Sequence, residues 1–115
     1  MKYLYSLFIL VFLTSLNSCD NKSPDEMASE ILSKSREHLY AGRYDAARDS
    51  IISMRKKYPT AINVRAQGIL LLDSIEMMEA KDSLGCVTGE EWRRLSMKVR
   101  FFERKLKEDK KKLSL

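Results

Sequence analysis

Apolar positions along this chain form one solid block followed by four spaced stripes. Residues 3–16 are apolar except for Ser6, Thr14 and Ser15. Beyond residue 27 the apolar side chains recur every three or four residues, the spacing that lines one face of an α-helix. Ala28, Ile31, Leu32, Ser35 and Leu39 form the first stripe, with a small notch at Ser35, and Tyr44, Ala47, Ile51, Met54 and Tyr58 form the second. The third is broad: Val64, Gly68, Leu71, Ile75 and Met78 run beside Ile62, Ala66, Ile69 and Leu72, as expected of a helix with two neighbours. The fourth is Trp92, Leu95, Val99, Phe102 and Leu106. Residues 69–72 alone read equally as a strand, but the period around them is helical and no turn residue bounds them. The fold class is therefore all-α.

Helix signals divide these stripes. Ser23-Pro24-Asp25-Glu26 offers a capping residue, a proline suited to the first helical position and a capping-box partner, so a helix is expected over 24–41. Gly42 can take the positive φ that ends it. The three-residue link 41–43 leaves room only for an antiparallel second helix, which Pro59 stops. Thr60 is expected to cap a third helix running to residue 84. Residues 85–89 form the clearest break, and Thr88 with Glu91 predicts the start of a long fourth helix over 90–115. Its stripe suits either a packing face or a short coiled-coil seam. The expected organisation is a leader at 1–18, a tether at 19–23, a three-helix domain at 24–84, a loop at 85–89 and the final helix.

The apolar block has its own chemistry. Lys2 precedes it, and it is too short and too soon followed by polar residues to suit a spanning helix of about 20 residues. It ends in Leu16-Asn17-Ser18-Cys19, which resembles the lipobox of bacterial lipoproteins at Leu16, Ser18 and Cys19 and departs from it at Asn17. That resemblance implies cleavage before Cys19, a lipid on its thiol, no need for a spanning helix, and a place in the cell envelope, with the outer membrane or periplasmic face favoured. An uncleaved N-terminal membrane helix and an ordinary cleaved signal stay open as alternatives. Cys86 would be the one cysteine left to pair, and it reads as a small buried apolar residue rather than a nucleophile.

Gly42, Tyr44, Ala47 and Pro59, with Ile51 and Met54 between them and Ser35 before them, resemble one tetratricopeptide repeat. That motif is a 34-residue helical hairpin with glycine at the turn and a closing proline. Ile31 stands where the family has an aromatic residue and Lys34 where it has leucine. No second copy of the turn pattern follows, so the resemblance covers about a third of the mature chain, and a generic hairpin accounts for the same residues. An isolated repeat cannot bury its own face, so the third and fourth helices are expected to close it. The family binds proteins and peptides along a concave helical surface, and that role is what the resemblance implies.

Charge and candidate chemistry narrow the reading. The chain has 115 residues and net charge +5. Residues 19–91 carry 10 basic and 13 acidic side chains, whereas residues 92–115 carry 10 basic and 3 acidic. Read along the chain, the protein is acidic near its tether and basic at its far end. Arg100, Arg104, Lys105, Lys107, Lys110, Lys111 and Lys112 suit either a solvated helix end favoured by the dipole or a contact with anionic headgroups or an acidic protein. His38 is the only histidine and lies in no ligand-spaced cluster, and no Ser-His-Asp set, Cys-His set or phosphate loop can be assembled. No catalytic residue, metal or cofactor is expected, and export disfavours a nucleic-acid partner. The expected function is a membrane-anchored, non-catalytic helical module for an envelope protein partner. The alternatives are a homo-oligomer joined through Trp92, Leu95, Val99, Phe102 and Leu106, or membrane-surface binding through the basic tail.

Overall fold

The computed structural model describes residues 21–114, so Cys19 and the leader at 1–18 lie outside the described residues. Four α-helices follow in order: α1 Pro24–Tyr40, α2 Tyr44–Lys57, α3 Ile62–Leu84 and α4 Gly89–Leu113. The described chain contains no strand, and the all-α expectation holds. Each helix runs antiparallel to the one before it. Helix α3 is the hub, packing against all three others, while α2 and α4 do not touch each other.

The first helix starts as its sequence requires, with the Ser23 hydroxyl accepting the Glu26 N–H at 3.3 Å. It ends in a Schellman turn: Gly42 N–H donates to Leu39 C=O at 3.0 Å, and Arg43 N–H donates to His38 C=O at 2.9 Å. Gly42 reaches this geometry at φ +75°, which a side chain would resist. The other two capping expectations fail. The N-cap of α3 is Ala61 rather than Thr60, because residues 59–60 are taken up in the turn that follows α2. Thr88 does occupy the N-cap of α4, but its hydroxyl makes no capping bond. Gly89 follows it at φ +66°.

The core lies where α1, α2 and α3 meet. Leu32, Ile51, Met54 and Ile75 are fully buried there, each contributing about 1.5–3 kcal/mol of transfer free energy. The notch at Ser35 brings α1 and α2 together, and the fully buried Ser35 hydroxyl donates to the Ala47 carbonyl at 2.8 Å. Gly68 serves α3 in the same way, since a Cβ there would lie 3.1 Å from the Met54 methyl and 3.4 Å from Ile51 Cγ2. The neighbouring stripe of α3 is less used than its pattern suggests. Ile62 is 72% exposed and Ile69 39%. Ile62 lies in the first turn of α3 and stays open to solvent.

Cys86 is exposed rather than buried. It sits in the turn after α3, where its N–H donates to Ser83 C=O at 3.1 Å and no element packs over it.

Filling the Gly68 notch should loosen the core. We expect Gly68→Val to destabilise the full chain by about 1–3 kcal/mol through overpacking. Gly68→Ala should cost much less, because the helix gains up to about 1 kcal/mol and the Met54 methyl can yield. Urea unfolding of both variants checks the pair, and equal losses would contradict the packing argument.

Candidate functional site

A groove runs along α3 between the end of α1 and the last turns of α4. Arg36, Leu39 and Tyr40 form the α1 wall, Leu106 and Lys110 form the α4 wall, and α3 provides a floor that includes Leu70, Leu71 and Met78. Its volume is roughly 320 Å³, and it opens to solvent along its length. Leu39 and Leu71 are buried, whereas the Tyr40 ring stands 80% exposed on the rim. Arg36, Gln67 and Lys110 make that rim polar and cationic, and no carboxylate lines the groove. An apolar floor with a basic rim suits an apolar segment carrying acidic groups.

Ion pairs across α3 hold the α4 wall in place. Arg48 of α2 donates through Nε to Glu76 of α3 at 2.6 Å and through Nη2 to Glu79, and Lys98 of α4 reaches the other Glu76 oxygen at 3.1 Å. Burial pushes the Glu76 carboxyl up, but the hydrogen bonds from Arg48 and Lys98 outweigh it and hold the group below its usual range. One helical turn nearer the groove, Lys105 lies 2.8 Å from both Asp73 and Asp109. Asp73 is buried. Burial and then the adjacent Asp109 carboxylate raise its pKa, against the pull of Lys105. Lys81 and Glu103 complete the seam at 3.1 Å.

The residues singled out by sequence fall into two places, and neither is the groove floor. Gly42, Tyr44 and Ala47 hold the α1–α2 hairpin, and Pro59 lies in the turn after α2. The Tyr44 hydroxyl donates to Asp82 of α3, and this bond, followed by burial, pushes its pKa up to about 12. Val99 is buried, and Leu95, Phe102 and Leu106 are half-buried on the face of α4 turned to α3. That stripe is thus engaged within the chain. Trp92, in the first turn of α4, is 49% exposed. His38 Nδ1 accepts a hydrogen bond from Arg43 Nε at 2.9 Å, a contact local to the Gly42 turn.

Sequence reasoning missed Arg36, Tyr40 and the Arg48–Glu76–Lys98 network. One signal was present: Asp73 and Glu76 interrupt the apolar run of α3, and a carboxylate in a buried helix needs a cationic partner. No family model, no curated protein and no solved structure matches the chain.

The seam carries a pH dependence whose sign is fixed. The folded pKa of Glu76 is depressed, so its contribution is complete above the unfolded value of about 4.3 and is lost as pH falls through the folded value. Asp73 acts oppositely, because its raised pKa makes the folded state bind a proton more tightly. Glu76→Gln should cost about 1–3 kcal/mol at neutral pH and flatten the loss of stability below about pH 4. Urea unfolding across that range tests this, and an unchanged acid slope would remove Glu76 from the seam.

Proposed function

We propose that this chain is a cell-envelope lipoprotein, lipidated on Cys19, that acts as a non-catalytic helical module docking a protein segment in the α1–α3–α4 groove. The observation that carries the docking reading is the groove itself, with its apolar floor, its Arg36 and Lys110 rim and its lack of any carboxylate. The tetratricopeptide-like reading of the hairpin is supported by the Gly42 turn and by the close approach of Ser35 to Ala47. In this arrangement α3 covers the face that one hairpin leaves open, and α4 packs on α3. The lipid reading is supported by Leu16, Ser18 and Cys19. Among the described residues no helix is long and apolar enough to cross a membrane.

Two measurements test the two halves separately. A fatty-acid analogue should label the wild-type protein and not Cys19→Ala, and equal labelling would end the lipoprotein reading. A photo-crosslinking residue at Tyr40 should give one discrete adduct in cells, whereas the same residue at the exposed Asp49 of α2 should give none. The same products from both positions, or none from either, would end the groove reading.

A further inference from the structure

Folding reverses the charge layout that the linear sequence suggests. The four helices alternate in direction, so the start of α1, the end of α2, the start of α3 and the end of α4 lie at one end of the molecule. The Tyr58 hydroxyl, just past α2, donates to Met27 Sδ in the first turn of α1 at 3.7 Å. Lys110, in the last turn of α4, shares the groove with Gln67 and Leu70 in the first half of α3. Two basic helix ends therefore converge: Arg55, Lys56 and Lys57 close α2, and Lys110, Lys111 and Lys112 close α4. Among the described residues none of these six, nor Lys107, has an ion-pair partner. Of the carboxylates nearby, Glu30 is paired with Lys22 and Asp109 with Lys105. Among the described residues Asp25, Glu26 and Glu108 remain, fewer than the seven cations of the cluster.

The chain enters α1 at this same end. Only residues 20–23 separate Cys19 from Pro24, and four residues span at most about 14 Å. Whether a lipid on Cys19 or the apolar run 3–16 holds the chain to a bilayer, the start of α1 stays close to its surface. Charges near the start of α1 are then within one or two Debye lengths of roughly 8–10 Å.

We propose that this end, built from Arg55, Lys56, Lys57, Lys107, Lys110, Lys111 and Lys112, is a headgroup-facing surface that stands the helices end-on against an anionic lipid bilayer. The inference rests on the membrane attachment proposed above, not on the groove. It also commits to an orientation. The far end carries the start of α4, where Glu90 and Glu91 pair with Arg93 and Arg94, and that end faces away from the lipid.

The test uses the full chain on two kinds of vesicle: phosphatidylcholine alone, and phosphatidylcholine mixed with phosphatidylglycerol. Bound protein is acetylated and the modified lysines are located by mass spectrometry. Lys56, Lys57, Lys110, Lys111 and Lys112 should label several-fold less on the anionic vesicles, while Lys81 at the far end labels equally on both. Replacing Lys56, Lys57, Lys110 and Lys111 with Gln should lower the preference for anionic vesicles by roughly tenfold or more with helix content unchanged. R93Q with R100Q, on the side of α4 nearer the far end, should leave it intact. Equal labelling on both vesicles overturns the orientation, as does loss of the preference in the R93Q/R100Q chain. Protection by polyglutamate but not by anionic vesicles overturns it in favour of an acidic protein. Failure to bind either vesicle overturns the attachment reading along with it.

Discussion

The Glu76 carboxylate is the point on which the four-helix arrangement depends. Helices α2 and α4 do not touch each other, and among the described residues Glu76 is the side chain that both reach with an ion pair, through Arg48 and Lys98. The physics is that of a partly buried charge. Placing a carboxylate on a helix enclosed by neighbours is costly unless cations meet it, and losing one partner costs more than the pair contributes. The sequence therefore commits α2 and α4 to fixed positions around α3. Asp73 repeats this logic nearer the groove, where Lys105 and Asp109 surround it. These paired carboxylates set the register of α4, which apolar packing alone would leave free to slide by a turn.

What the sequence made legible was the set of faces. Helix spacing identified Leu32, Ile51, Met54, Val64 and Ile75 as inward residues, and all are buried. The small residues Ser35 and Ala47 marked the close approach of α1 and α2, because only small side chains permit it. What stayed hidden depended on pairing. Periodicity says which face of α4 is apolar but not which helix covers it. It therefore could not place Leu106 opposite α1, nor show that Tyr40 and Arg36 would rim a groove. Thr60 and Thr88 failed as caps for a related reason: a capping residue acts only if the adjoining turn aims its side chain at the first amides.

The charge pattern shows most directly how folding changes a sequence reading. Along the chain the basic residues gather in the last segment, which places them far from the N-terminus. Helices α2 and α4 each end in the polarity the dipole favours, with Arg55, Lys56 and Lys57 at the end of α2 and Lys110, Lys111 and Lys112 at the end of α4. Because both helices run the same way, dipole-favoured ends that look unrelated in sequence add at one end of the molecule. The same rule places Asp45, Glu90 and Glu91 in the first turns of those helices, at the opposite end. The shared direction of α2 and α4 thus turns two local preferences into one axial polarity.

Lys110 connects the two surfaces. It lines the groove and belongs to the basic end. An acidic group bound in the groove and an anionic headgroup at the end both lower the free energy of that one ammonium, and a single charge cannot be neutralised twice at full value. On the docking and headgroup-facing readings proposed above, binding at either surface weakens binding at the other, by the same free energy in both directions. Arg36 is different, because it stands on the α1 wall away from the α4 terminus and serves the groove alone. On those readings the molecule carries one cation for docking and one shared with the end that faces the membrane. Any coupling between the two surfaces runs through the final turn of α4, whose position is set in turn by Asp73 and Glu76.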